Sequence, residues 1–123
     1  MSYNIVLGAR GEKLACKYLK RKGYKIIETN FRCKLGEIDI IAEHRDTLVF
    51  VEVKTRTGDK YGLPQEAITN HKKLKIKRTA QFYMASKHID MQLFLFRFDC
   101  IALVIKKDSN RPEYFRHIKN IYL

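Results

Sequence analysis

Apolar residues recur along this chain with two different periods, and the changes of period divide it into elements. Leu14, Ala15, Tyr18 and Leu19 fall at helical spacing within a segment from about Asn4 to Lys22. That spacing predicts an amphipathic helix, with Met1–Tyr3 as a frayed start. Arg10, Lys13, Lys17, Lys20, Arg21 and Lys22 cover its outer surface, and Gly23 suits the position just past a helix end. Period two takes over from there. Tyr24–Phe31 reads as a first strand and Arg32–Leu35 as a basic connection. Ile38–Ala42 and Leu48–Val53 are rich in β-branched residues and flank the polar break Glu43–Thr47, which predicts a hairpin. A turn-rich loop follows at Thr57–Pro64, then a short helical turn at Gln65–Ile68. Asn70 is placed as the N-cap of a helix running to about Lys87, with Ile76, Ala80, Tyr83 and Met84 as its apolar stripe. Phe94–Ile105 is a strongly apolar strand, Lys106–Pro112 a polar turn and Glu113–Ile118 a last edge strand.

This order predicts one α/β domain over residues 1–123, a mixed sheet of four or five strands flanked by helices. Short connections make the first three strands an antiparallel meander, and strand–helix–strand implies a parallel crossover. Repeats, low-complexity tracts and linkers are absent from the sequence.

Three charged residues interrupt the apolar hairpin: Asp39, Glu52 and Lys54. If the hairpin turns on Arg45-Asp46, His44 faces Thr47, and counting outward sets Asp39 opposite Glu52. Lys54 then lies on the same face, two residues beyond Glu52. Carboxylates opposed across a ladder repel, and a cation between them reverses that sign. Hard divalent cations such as Mg²⁺ take carboxylate and carbonyl oxygens. The plainer alternative is that these charges are solvated, with Asp39 paired to Lys54. Glu12 poses a similar choice. Gly8, Glu12, Ala15 and Leu19 share one helical stripe, so Glu12 either pairs within its helix or points at the sheet beside the hairpin carboxylates.

Composition narrows the chemistry. A formal net charge of +12 points to a polyanionic partner, with nucleic acid before an anionic membrane surface. On the second helix, Lys72, Lys73, Lys75, Lys77 and Arg78 lack compensating acids, which favours contact with phosphates over a merely solvated face. Cys16, Cys33 and Cys100 match neither a zinc pattern nor a disulfide framework and read as reduced structural thiols. No apolar run is long enough for a membrane span and no signal-peptide pattern opens the chain, so a cytoplasmic protein without membrane contact is expected.

With a helical acid at Glu12, an Asp on the second strand and Glu52-Val53-Lys54 on the third, the chain resembles the PD-(D/E)XK nuclease superfamily. Within it, the match is to the YraN-like family, akin to archaeal Holliday junction resolvases. The likeness rests on Gly11-Glu12, Asn30-Phe31-Arg32, Gly36-Glu37-Ile38-Asp39, Phe50-Val51-Glu52-Val53-Lys54-Thr55-Arg56 and Arg97-Phe98-Asp99. Glu-x-Lys alone is a weak signal; Gly-Glu-Ile-Asp with Phe-Val-Glu-Val-Lys-x-Arg at this spacing is a strong one.

The resemblance implies a restriction-endonuclease-like αβββαβ core. It implies Mg²⁺ or Mn²⁺ held by Asp39, Glu52 and the main-chain carbonyl of Val53, with Glu12 as a further ligand or the holder of a metal-bound water. Lys54 would position or activate the attacking water. Arg56, Lys72, Lys75 and Arg78 are candidates for phosphate contact, and Asp99 for a structural role or one that supports the site from behind a ligand. The function implied is endonucleolytic hydrolysis of DNA, branched or structured before plain duplex; resolvase-like enzymes pair to cut both strands, which is compatible with a homodimer. Two alternatives stand beside it: a nucleic-acid-binding module of nuclease fold without cleavage activity of its own, and a basic protein that binds RNA or ribosomes.

Overall fold

The computed structural model describes residues 3–58, 62–90, 92–109 and 111–121, excepting the side chains of Tyr3 and Asn4. Met1 and Ser2 of the expected frayed start, the middle of the loop Thr57–Pro64 and Asn110 of the polar turn lie outside the described residues. In chain order the elements are α1 (Tyr3–Arg21), β1 (Lys25–Cys33), β2 (Gly36–His44), β3 (Thr47–Arg56), a 3₁₀ turn (Pro64–Ala67), α2 (Asn70–Ser86), β4 (Leu95–Val104) and β5 (Tyr114–Ile118).

The strands form one five-stranded sheet in the order β1-β2-β3-β4-β5. The meander β1–β2–β3 is antiparallel, β3 and β4 pair in parallel across α2, and β5 adds an antiparallel edge. This is a mixed α/β fold with the restriction-endonuclease-like αβββαβ core that the family resemblance implied.

Two boundaries move for identifiable reasons. The basic connection shrinks to a turn at Lys34-Leu35, because the β1–β2 ladder runs on to Cys33↔Gly36 and Arg32 meets Glu37 at 3.3 Å across it. The N-cap of α2 is Thr69, not Asn70. Thr69 is extended and its hydroxyl accepts the Lys72 amide at 3.2 Å, so Asn70 becomes the first helical residue.

The sheet separates two apolar layers. Leu7, Ala15 and Leu19 of α1 pack on Ile40, Val49, Val51, Val53, Ile101 and Leu103. On the opposite face, Ile76, Ala80, Tyr83 and Met84 of α2 pack on Ile41 and Phe50. Alternation along β3 therefore sends Val51 and Val53 toward α1, and Glu52 and Lys54 toward α2. Two glycines allow the close approaches this needs. A Cβ at Gly11 would collide with the Thr55 side chain, so α1 crosses tightly over β3 beside Glu12. Gly36, at φ +153°, lets the start of β2 pass under Thr79 of α2.

Among the described residues no helix is long and apolar enough to cross a membrane.

Candidate active site

The β2–β3 hairpin has the register that its turn dictates, from His44↔Thr47 to Ile40↔Val51. Arg45 takes the left-handed conformation at φ 59° that the tight turn demands. One step further the regularity ends. Ile40 packs on the α1 side and Ile38 on the α2 side, although residues two apart in a regular strand share a face. The alternation breaks at Asp39, whose carboxylate accepts the Val53 amide at 2.8 Å. On the other flank, the β1–β2 ladder passes from Thr29↔Ile40 to Phe31↔Ile38, and Asn30 between them sits at φ 54°. Asp39 thus leaves both ladders and places its carboxylate in the seam between β2 and β3. This corrects the flat, same-face pairing with Glu52 expected from simple alternation.

Two acids reach that seam from opposite layers. Glu52 comes from the α2 side of β3, and its carboxyl stands within hydrogen-bonding reach of Asp39. Glu12 comes from α1; its carboxyl is likewise in reach of Asp39, and the side chain of Asn30 stands close enough to favour its charged form. The helical acid therefore points at the sheet, as its stripe suggested, and does not pair within its helix. Lys54 Nζ lies 3.4 Å from Glu52 Oε1, so the lysine neutralises Glu52 before Asp39.

The electrostatics follow from burial. Glu52 is pushed up to about 7, first by burial and then by the Asp39 charge, with Lys54 pulling the other way. Burial also raises Asp39, against the opposing pull of the Val53 amide. Glu12 is raised by burial and by Asp39. All three carboxyls thus hold protons more tightly than free acids, and one Lys54 does not offset their combined charge. Hard oxygen donors with excess negative charge suit a divalent cation. A strand residue points its N–H and C=O to the same edge, so the Val53 carbonyl lies on the Asp39 side together with its amide. No three acidic, histidine or cysteine side chains are gathered into one ligand set among the described residues. The acids meet pairwise, Glu12 with Asp39 and Asp39 with Glu52.

A cleft of about 160 Å³ opens beside the pair, lined by Gly36, Glu37, Glu52, Lys54, Lys72, Lys75 and Ile76. Lys72 sits below its ordinary value, chiefly through the Lys54 charge, with Arg56 acting in the same direction. Lys54, Lys72 and Lys75 therefore form one cationic wall, with Arg56 near enough to Lys72 to act on its charge. Arg78, one turn beyond Lys75, is exposed and does not line the cleft.

Asp99 belongs elsewhere. It is buried, receives Arg97 Nε at 3.1 Å, His117 Nε2 at 2.8 Å and the Asn120 amide at 3.1 Å, and is held below the usual carboxylate range by the last three partners against burial. These satisfied bonds fit the structural role expected of it. The thiol of Cys100, pushed up to about 12 by burial, is an inert neighbour of Glu52 in the β3–β4 ladder.

Sequence reasoning missed Asn30 and Glu37. Asn30 carried a signal, since Asn is among the few residues that adopt left-handed backbone readily. Glu37 stood within the Gly-Glu-Ile-Asp motif, but its place in the cleft depends on how α2 lies over β2.

A family model described as uncharacterised protein family UPF0102 matches residues 11–103. A UPF0102 protein of Clostridium botulinum (strain Loch Maree) is 54% identical over 119 residues, covering 97% of this chain and 95% of its own. A UPF0102 protein of Caldanaerobacter subterraneus subsp. tengcongensis is 47% identical over 116 residues, covering 94% and 93%. One of Syntrophus aciditrophicus is 45% identical over 116 residues, covering 94% and 90%.

Proposed function

The chain belongs to the uncharacterised protein family UPF0102, and from its site we propose that it is a metal-dependent endonuclease of the PD-(D/E)XK superfamily acting on DNA. The observation that carries this reading is the seam at Asp39. A half-buried carboxylate bonded to the Val53 amide at 2.8 Å faces Glu52, itself raised to about 7, under a wall of cations.

Asp39, Glu52 and the Val53 carbonyl are the residues that would hold Mg²⁺ or Mn²⁺, with Glu12 acting through Asp39. Bound there, a divalent cation supplies Lewis-acid polarisation of a phosphodiester oxygen. Lys54 orients the attacking water and balances charge that grows on the phosphate oxygens. Lys72, Lys75 and Arg56 hold the flanking phosphates.

The test is incubation of purified protein with linear, nicked, flapped and four-way DNA in Mg²⁺ or Mn²⁺, beside Asp39→Ala and Glu52→Ala. Cleavage by the wild type alone is the expected result. Absence of cleavage on all four substrates removes the nuclease reading.

One observation favours a second reading, a nucleic-acid-binding module that does not cut by itself: the acids meet only in pairs, and Lys54 already satisfies Glu52. Such a module binds DNA in a salt-dependent way that survives loss of Asp39 and Glu52 and takes up no Mn²⁺ in calorimetry.

A further inference from the structure

A second open groove lies away from the acidic seam. It measures about 650 Å³, within the range of roughly 300–1,000 Å³ usual for small-ligand sites. Lys17, Tyr18 and Arg21 form one wall, on a face of α1 that also carries Leu14. Glu12 lies on the opposite side of the same helix, as 100° per residue requires. Arg111, Pro112 and Phe115 form the facing wall.

Four features give this groove a definite chemistry. Its floor is aromatic and apolar, with the half-buried Tyr18 and Phe115 rings 4.8 Å apart. Its rim is cationic: Lys17, Arg21 and Arg111 are all exposed, and no carboxylate lines it among the described residues. Its floor is anchored, because the Tyr18 hydroxyl meets His117 Nδ1 at 3.0 Å and His117 is fixed by buried Asp99. Its far wall is tied to α1, because Arg10 Nη2 donates to the Ser109 carbonyl at 2.6 Å and Ser109 Oγ accepts the Arg111 amide at 3.2 Å.

We propose that this groove binds unpaired nucleotides of a single strand, with a base against Tyr18 and Phe115 and phosphates on Lys17, Arg21 and Arg111. An aromatic floor accepts any base through its π-face, and a rim of cations follows the backbone; together these are the two elements of sequence-tolerant single-strand binding. A duplex keeps its bases stacked inside and meets only the rim. The groove would thus give the chain a preference for DNA that carries a single-stranded arm. The inference rests on the nucleic-acid reading of this cationic protein but not on cleavage, since the groove lies across α1 from the acidic seam.

The experiment uses fluorescence anisotropy in EDTA with a labelled oligothymidylate and a labelled duplex. Three proteins are compared: the wild type, Lys17→Glu with Arg111→Glu, and Lys72→Glu with Lys75→Glu. All the substituted residues are exposed, so the fold is retained. The groove variant is expected to lose roughly tenfold in single-strand affinity and little in duplex affinity. The α2 variant should lose mainly duplex binding. Because the chain has no tryptophan, Phe115→Trp provides a reporter that oligothymidylate should quench by stacking.

Equal losses for both DNAs in the groove variant, or unchanged single-strand binding, overturn the proposal. So does quenching of the Trp reporter by anionic phospholipid vesicles or free nucleotide but not by oligothymidylate. Duplex binding without single-strand binding removes the groove and leaves the nuclease reading intact. Groove-dependent single-strand binding without cleavage supports the groove and removes the nuclease.

Discussion

The Asp39 carboxylate takes the Val53 amide at 2.8 Å, a bond that a regular β2–β3 ladder would have made between main chains. The sheet thus keeps its hydrogen bond and gains a charge in its seam. That exchange ties the stability of the hairpin to the chemistry of the site, and separates what different substitutions at Asp39 should do.

Asp39→Asn keeps an oxygen for the Val53 amide but removes the charge. It should unfold within about 1 kcal/mol of the wild type in urea, while Asp39→Ala, which leaves that amide without its partner, loses about 1–3 kcal/mol. Both should lower DNA cleavage by about 10³ or more. Cleavage retained by Asp39→Asn would place the reactive centre elsewhere.

Glu52 sets a pH dependence. Its ordinary value is 4.5 and its folded value about 7, so between those pH values the folded carboxyl keeps a proton that the unfolded one has released. Stability from this group is complete below about pH 4.5 and falls as pH rises through 7, on the order of 3 kcal/mol in all. Raised Asp39 and Glu12 act in the same direction. Thermal unfolding of the metal-free protein should therefore show a lower midpoint at pH 8 than at pH 5.5, and Glu52→Gln should flatten the difference. Mn²⁺ should raise the midpoint more at pH 8, where it need not displace the proton. Equal shifts at both pH values would remove the carboxylate pair as the metal's ligands.

Lys54 lies 3.4 Å from Glu52 and holds its value down. Lys54→Met should lower the cleavage rate by about 10²–10³ with little change in DNA affinity. It should also move the acid limb of the pH–rate profile upward, because Glu52 loses its neutralising partner. A uniform loss of DNA binding would make Lys54 a phosphate contact instead.

Asp99 should behave as a structural acid. Asp99→Asn weakens the buried bonds to Arg97 and His117 and should cost about 3 kcal/mol in urea unfolding. Since Asp99 is held below the usual range, its contribution is present above its unfolded value and lost in acid. Mn²⁺ uptake by the folded variant should match the wild type. A change in metal affinity without a change in stability would argue for a place in the site.

Several relations between residues near one another in sequence were legible in it. Alternation and the Arg45-Asp46 turn gave the hairpin register, because strand pairing across a tight turn has few alternatives. The same alternation placed Glu52 and Lys54 on one face. Helical spacing put Glu12 on the sheet-facing stripe but left open whether it paired within its helix, and the αβββαβ order followed from the run of periods. The tertiary structure decided what depends on packing between distant segments. Asp39 leaves its ladder because β1, with Asn30 in left-handed backbone, and β3 both part from it there. Glu52 rises to about 7 because α2 and β2 exclude water from a charge that periodicity shows only as polar. Asp99 became structural once Arg97, His117 and Asn120 closed around it, and the Tyr18–Phe115 groove exists only where α1 meets the loop before β5. Local periodicity is set by backbone geometry over a few residues. Desolvation and charge coupling are set by whatever the fold brings alongside, which no spacing in the chain encodes.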